Sequence, residues 1–526
     1  MRTIEADVVV IGGGSTGAGV VRDAAMRGYR AVLVDRSDLA QGTTGRFHGL
    51  LHSGGRYVVS DPGSATECAE ENAILSRIQA PAIERTGGFF VAVPGDDPDY
   101  GDKFLAGAAA TKVPARDIPV AEALTREPRL NPGIFRAIEV EDGSVDGWQL
   151  VWGAVNSARH YGAQVLTYHP VTKIDTSGGQ VTSVHCWDQR GEQEVVIECR
   201  FALNCAGPWA GQISEMTNLP PVPVVPGRGI MVAMNHRLVN TVINRLIYPA
   251  DGDILVPIHT VSVIGTTDVK EADPDHLPIP HAEVQLMLDA GEKLVPGFRN
   301  SRAVHAWSGS RPLVKDDRVA ASDTRHMSRG MAVVDHLHRD GVHGLLTIGG
   351  GKLTTYRLMA EHIVDAMCEQ LGDRRPCRTA DEEIPYDDGP AKHYVVTHRL
   401  KDREADRLED QIVCECELMT KQMFTELLQQ QPESTLDDLR RQLRLGMGPC
   451  QGGFCSMRAA GIAHDEGVVD TERATGLLRL FLTNRWIGLW SILYGDQVRQ
   501  TALDNWIYQG TLDIEHLPVA AQEVLR

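Results

Sequence analysis

Two constellations in this 526-residue chain carry chemistry. Near the start, Val10-Ile11-Gly12-Gly13-Gly14-Ser15-Thr16-Gly17 follows an apolar, strand-like run. Near the end, Cys414-x-Cys416 is followed, after 33 intervening residues, by Cys450-x4-Cys455. The glycine turn can hold a flavin or nicotinamide dinucleotide, because its glycines permit a tight turn, close backbone approach to a pyrophosphate and close strand-helix packing. Four thiolates, from one pair a residue apart and another in a glycine-rich loop, can hold the two irons of a [2Fe-2S] cluster. Tetrahedral zinc accepts the same ligands, and a purely structural set of thiols is the third reading. Cys-x-Cys is an unusual zinc spacing, and the redox company favours iron. Together the two sites point to an electron-transfer enzyme.

The elements that must position these residues are readable nearby. Ala6 to Ile11 reads as a buried parallel strand, Gly12 to Gly17 as the turn, and Ala18 to Arg27 as a helix ended by Gly28. Ala31 to Asp35 is a second strand. Its terminal acid lies 18 residues after Gly17, close to the roughly 20-residue spacing at which an acid reaches a ribose hydroxyl. Gly12, Gly14, Gly17 and Asp35 are therefore assigned to the dinucleotide. Phe201 to Asn204, leading into Cys205-Ala206-Gly207, and Leu345 to Ile348, leading into Gly349 to Arg357, read as strand-to-glycine-turn elements that return to the cofactor. The second opens a helix whose amide end suits the negative charge on a reduced flavin's pyrimidine edge. Between them, over about 220–330, Gly229 to Met234, Asp253 to Ile258 and Val261 to Gly265 predict an antiparallel sheet covering a substrate pocket.

The length suggests roughly three domains, and a hydrophobic content of 42% supplies their cores. A net charge of -18 argues against sequence-independent nucleic-acid binding and requires any anionic substrate to find a local cationic pocket. Cys68, Cys186, Cys199, Cys205, Cys368 and Cys377 read as small buried hydrophobes. The first apolar stretch runs into the glycine turn rather than a cleavage site, so a cytoplasmic location is expected. The best membrane-spanning candidate, Leu478 to Tyr494, is broken by Arg479, Asn484 and Arg485, which restricts membrane contact to peripheral association. Trp486 to Tyr494 reads either as a docking surface or as a helix packing back on the body. The acidic, proline-bearing stretch Thr379 to Lys392 is the candidate linker, and Arg399 to Asp410 reads as a solvated helix face.

Asp7 to Gly17, Gly42 to Tyr57, Ile264 to Asp268, Ser308 to Leu313 and the block ending at Arg357 resemble FAD-dependent glycerol-3-phosphate dehydrogenases over about residues 1–370. The cysteine region resembles bacterioferritin-associated ferredoxin, and the combination is similar to the flavin-bearing A subunits of the anaerobic dehydrogenases. The resemblance implies an α/β fold. Residues 1–370 would form an FAD-binding Rossmann-like domain of the glutathione-reductase/D-amino-acid-oxidase type with its substrate sheet, joined by a 371–405 linker to a 406–465 [2Fe-2S] domain and a 466–526 helical docking segment. It implies FAD contacts from Thr43, Thr44, Gly45, Gly207, Gly350, Gly351, Leu353 and Thr354, and cluster ligation by Cys414, Cys416, Cys450 and Cys455. Arg56, Arg311 and Lys352 match the family's phosphate-binding bases, with Arg311 also catalytic; the alternative is that the arginines form structural ion pairs. His52 is the candidate proton acceptor or hydroxyl contact, or else only bonds its own loop. The respiratory relatives' substrate-side histidine is missing at Arg228-Gly229-Ile230-Met231, which makes Arg228 a further candidate anion contact. The implied reaction takes sn-glycerol 3-phosphate to dihydroxyacetone phosphate, with partner subunits carrying electrons to a quinone at the cytoplasmic face of the membrane. An FAD-dependent amine or amino-acid dehydrogenase and a non-catalytic cluster carrier are the other readings.

Overall fold

The computed structural model describes residues 1–271, 273–314, 330–385, 396–405 and 410–519. Strands Val8–Ile11 and Ala31–Val34 are buried along their whole length, as expected of parallel strands covered on both faces. They lie in a six-stranded sheet ordered 164–166, 31–34, 8–11, 201–204, 345–350 and 331–335, parallel except for the last strand. Alternation divides its residues between two cores. Val8, Val10, Leu33 and Leu203 pack on the helices Ser15–Met26, Gly147–His160 and Tyr356–Leu371. Val9, Ile11, Val32 and Ala202 face a second sheet through Ile174, Val184, Val195 and Ile197.

The first helix starts at Ser15, three residues before the expected Ala18, so Gly17 lies within it rather than in the turn. The reason is steric. A Cβ on Gly17 would sit 1.8 Å from the Gly12 carbonyl oxygen, and one on Gly12, at φ +109, would sit 2.7 Å from the Cys205 carbonyl. Only at this range can the helix begin directly above the strand end, with its first amides turned to the crevice.

The substrate sheet is larger than the expected antiparallel segment. It has nine strands, and recruits Gly88–Ala92, Ala115–Ile118 and Arg136–Val140 from well before residue 220. Val242–Arg245 runs parallel to Gly88–Ala92, so the sheet is mixed. Its longest pairing joins Val224–Met234 to Ala303–Val314, and helix His281–Leu294 covers its apolar face. Part of the expected 220–330 region, 315–329, lies outside the described residues.

The C-terminal unit has its own core, built from Val413, Phe424, Leu439, Leu443 and Phe481. Two expectations about the approach to it are corrected. The candidate linker, of which 386–395 lies outside the described residues, is anchored at its start: Arg22 donates to the carbonyls of Thr379 (3.1 Å) and Glu382 (2.8 Å), and Ile384 is buried. Helix Val396–Glu404, placed in the linker and then read as a solvated face, buries Arg399 and Asp402. Arg399 donates to the carbonyls of Glu417 and Leu443.

Buried polar contacts fasten the two units together. Arg444 pairs with Asp146 (2.5 Å) and Glu417 (2.9 Å), and His259 lies 3.0 Å from Glu417. Burial alone would raise the Glu417 pKa, but Arg444 and His259 override it and hold it down to about 2. Tyr168 donates to Asp438 (2.6 Å) and Gln149 to the Gln442 carbonyl (2.9 Å).

The Gly12–Gly17 contact sets a test. Gly17→Ala forces a methyl into a backbone oxygen and is expected to destabilise the first unit by ~1–3 kcal/mol. The purified variant should lose its flavin, measured as the 450 nm to 280 nm absorbance ratio; full flavin content in a normally stable variant would show that the close approach is dispensable.

Candidate functional site

A cavity of about 1170 Å³ runs from the glycine turn to the nine-stranded sheet, where Gly229, Met231, Gly309 and Arg311 line it. At the turn end it is lined by Gly12, Gly14, Ser15, Asp35, Thr44 and Gly207. The Asp35 carboxylate accepts from the amides of Gly13 (2.6 Å) and Ser37 (2.8 Å). Burial raises its pKa, while these amides oppose the rise. Thr44 Oγ accepts from the Ser15 amide (3.0 Å), and the Thr43 hydroxyl donates to the Ser310 carbonyl, which clips the 43–45 turn between helix start and sheet. Thr43, Gly350, Gly351 and Leu353 complete this part of the wall.

Three of the expected cofactor residues stand behind the wall. Gly17 packs on Gly12, and Gly45 packs against the Ala40 carbonyl and the Trp148 ring. Thr354 Oγ accepts the His52 amide (3.1 Å). The glycine cradle, the helix amides and the buried acid fit a dinucleotide: a Cβ on Gly207, in the cavity wall, would meet no protein atom within 4 Å and would stand in the open space of the cavity.

The other end brings together His48, His52, Arg56, Tyr57, Arg311 and Lys352. Arg56 is paired with Asp253 at 2.5 Å, and Arg311 with Asp268 at 3.2 Å. Both acids are almost wholly buried, so the arginines are structural ion pairs and cavity walls at once. Arg311 also donates to the Thr267 carbonyl (3.0 Å) and the Thr266 hydroxyl. The Lys352 ammonium lies 4.8 Å from the centre of the Tyr57 ring. Asp142 braces the histidine loop from beneath, accepting from the Ser53 amide (2.8 Å) and from Asn244 (2.9 Å).

Arg228 does not join this group. It is buried on the far side of its strand, held by Glu283 at 2.5 Å and the Pro278 carbonyl at 3.0 Å. His48, Asp253 and Asp268 were not singled out by sequence reasoning. The four-residue spacing of His48 and His52 in one glycine-rich run was the available signal for the first. The acids pair with arginines far away in the chain and gave none.

All ten cysteines are free thiols. Five of the six expected to be buried hydrophobes are buried, and Cys377 is half-buried. Cys414, Cys455, Cys450 and Cys416 form a chain of sulfur contacts in that order. The loop is braced by Arg485, which donates to the Cys450 carbonyl (3.0 Å), and by Tyr508, which donates to the Gly453 carbonyl (2.9 Å). Among the described residues, no group of three or more His, Cys, Asp and Glu side chains is arranged to hold a metal ion. As a donor set the four sulfurs suit iron-sulfur ligation, and the two carboxylates beside them in sequence are engaged elsewhere, Glu415 by Arg458 and Glu417 by Arg444 and His259.

The C-terminal aromatic segment packs back on the body through one face. Leu489 and Ile492 are buried against the nine-stranded sheet, while Trp486, Ile487 and Trp490 are exposed. Among the described residues no helix is long and apolar enough to cross a membrane.

The profile of the FAD dependent oxidoreductase (DAO) family matches residues 7–357. The A subunit of the anaerobic glycerol-3-phosphate dehydrogenase of Escherichia coli K12 is 39% identical over 531 residues, covering 97% of each chain. The A1 subunit of the Haloferax volcanii enzyme is 39% identical over 541 residues, covering 98% of this chain and 92% of that one. Among solved structures, the Bacillus halodurans glycerol-3-phosphate dehydrogenase complexed with FAD superposes with a TM-score of 0.64 at 21% identity, over 92% of this chain and 95% of that one, a likeness of fold.

Protonation of His48 is disfavoured first by burial and then by Arg56 and Arg311, which push its pKa down to about 3. Between that value and the ordinary imidazole value near 6.5, the unfolded chain binds more protons than the folded one. The stability from keeping this ring neutral is therefore complete above pH ~6.5 and is lost as pH falls, by up to about 1.4 kcal/mol per unit. His305, also pushed down to about 3 by burial, contributes in the same direction. Urea unfolding between pH 7 and 4.5 is expected to show this slope, and His48→Gln to reduce it; an unchanged slope would contradict the assignment.

Proposed function

From the premise that the chain belongs to the FAD-dependent oxidoreductase family, and within it to the A subunits of anaerobic glycerol-3-phosphate dehydrogenases, we propose that it oxidises sn-glycerol 3-phosphate to dihydroxyacetone phosphate. The observation that carries this reading is one continuous cavity with a dinucleotide cradle at one end and Arg56, Arg311 and Lys352 at the other. Bound FAD supplies the acceptor for the hydride that leaves C2 of the substrate.

The chain's own residues do the rest. The two guanidinium forks and the ammonium bind the phosphate dianion, arginine being suited to paired phosphate oxygens. Each arginine is already aimed by its own acid, so the phosphate meets an ordered pocket whose net charge is lower than three cations would give. His52, held by Thr354 at its amide and by Asn72 at its carbonyl (3.1 Å), takes the hydroxyl proton. Arg311, on the sheet strand Ala303–Val314, stabilises charge on the reacting end. An amino-acid substrate would present a carboxylate and an amine to this pocket, which three basic side chains disfavour.

Electron exit completes the proposal. Cys414, Cys416, Cys450 and Cys455 would hold a [2Fe-2S] cluster, and partner subunits would pass single electrons from it to a quinone at the membrane. The support is the chain of contacts among the four sulfurs, with Cys450 on the braced loop, and the near full-length likeness to the anaerobic dehydrogenases.

Anaerobic addition of sn-glycerol 3-phosphate to the FAD-loaded chain is expected to bleach the 450 nm band at one equivalent; an unbleached flavin would overturn the substrate. Removal of the Lys352 ammonium in Lys352→Met is expected to raise KM by ~10–100-fold, the loss of one charge-assisted contact, with little change in kcat. Iron and acid-labile sulfide analysis is expected to give two of each per chain by the [2Fe-2S] stoichiometry. Cys450→Ser should lose both while its flavin still bleaches. Zinc without sulfide in the wild type would overturn the cluster.

A further inference from the structure

A second histidine is built into the reactive end of the cavity. The chain from His48 to His52 turns at Gly49, whose φ is +86 and where a Cβ would lie 1.9 Å from Ile258 Cδ1. This pins the residue after His48 against the hairpin of the nine-stranded sheet. From the other side His48 Cβ packs over Gly265, 3.6 Å from where a Cβ on that glycine would sit. The His48 ring stands 6.0 Å from the His52 ring, edge to face, and lines the cavity with Arg56 and Arg311.

The ring's hydrogen-bonding direction follows from the backbone. The Leu50 amide donates to His48 Nδ1 at 3.2 Å. With Nδ1 acting as acceptor, the proton of a neutral imidazole sits on Nε2. Burial, and then the two guanidiniums, keep the ring neutral. His48 therefore presents a fixed donor and no acceptor, which makes it unsuited to remove a proton and suited to hold an oxygen.

Resting on the substrate reading above, we propose that His48 is a catalytic residue that donates Nε2–H to the C2 oxygen of sn-glycerol 3-phosphate while His52 accepts that oxygen's proton. The O–H bond breaks with its proton going to His52, and the C2–H bond breaks with its electron pair going to FAD. The oxygen, negative as the proton leaves, becomes the carbonyl of the product. A neutral donor strengthens its bond to that oxygen as charge develops, without losing its own proton. The two histidines thus divide the work, one holding the oxygen and the other receiving its proton.

The test compares His48→Gln, whose side-chain amide reaches the Nε2 position, with His48→Asn, whose amide stops at Nδ1, and with His48→Leu. The readouts are anaerobic single-turnover reduction at 450 nm, flavin content, and binding of dihydroxyacetone phosphate and of inorganic phosphate by perturbation of the flavin spectrum. Expected are ~10²–10³-fold slower reduction in the Leu and Asn variants, the usual loss of one oxyanion donor, and a rate within about tenfold of wild type in the Gln variant. Dihydroxyacetone phosphate should bind more weakly to the Leu variant, while inorganic phosphate and flavin bind as before. Wild-type rates in both Leu and Asn variants would overturn the assignment while leaving the substrate intact. Parallel loss of flavin, phosphate and rate in all three variants would also overturn it, reducing His48 to a packing role. A wild-type flavin that sn-glycerol 3-phosphate does not reduce would remove the underlying reading, and this one with it.

Discussion

A guanidinium in a cavity wall needs a counter-charge that both compensates its desolvation and aims its donors. Here Asp253 serves Arg56 and Asp268 serves Arg311, each from a turn of the nine-stranded sheet. The rest of the reactive end depends on this arrangement. Arg56 belongs to the segment that also carries both histidines, while its acid belongs to the sheet, so the ion pair closes the cavity between the two layers. The same two positive charges add to the burial that keeps His48 neutral. An anion arriving in this pocket meets donors already oriented, inside a chain whose overall charge would repel it.

The dinucleotide end was largely legible in the sequence, because its rules are local. A strand, a glycine turn, a helix and a second strand ending in an acid follow one another within 35 residues, and each glycine has a steric reason that does not depend on distant partners. Even there the helix start was misplaced, since Gly17 looks like a turn residue until the strand beneath it is in place. The substrate end was legible in its cations and in His52, but not in the acids that aim the arginines. Arg56 and Asp253 are 197 residues apart, and nothing in either neighbourhood announces the other. Arg228 shows the converse: a cation beside the right strand, yet turned to the opposite face by Glu283. The sheet could not be delimited from sequence either, because Gly88–Ala92 and its neighbours reach it across the parallel pairing with Val242–Arg245, a long-range register no local pattern encodes.

Between these extremes lies the C-terminal unit. Its cysteines are conspicuous, and the structure brings them into a chain of contacts. What composition concealed is how closely the unit is fitted to the rest. Charged stretches that read as solvated, such as the helix bearing Arg399 and Asp402, supply buried hydrogen bonds to its loops. A side chain's charge predicts exposure only when no carbonyl waits for it inside.

The hairpin tip at His259 and Thr260 touches both halves of the molecule. Ile258 presses on Gly49 beside the cavity, His259 pairs with Glu417, and Thr260 and Cys416 both contact Gly448. Separating the units would break the buried Arg444–Glu417–His259 and Arg444–Asp146 contacts together. The cysteine loop is therefore no ferry that docks, loads and departs. On the proposed electron path it would be the fixed far end, and the span from the cavity to those sulfurs would be set by the contacts that Ile258, His259 and Thr260 make.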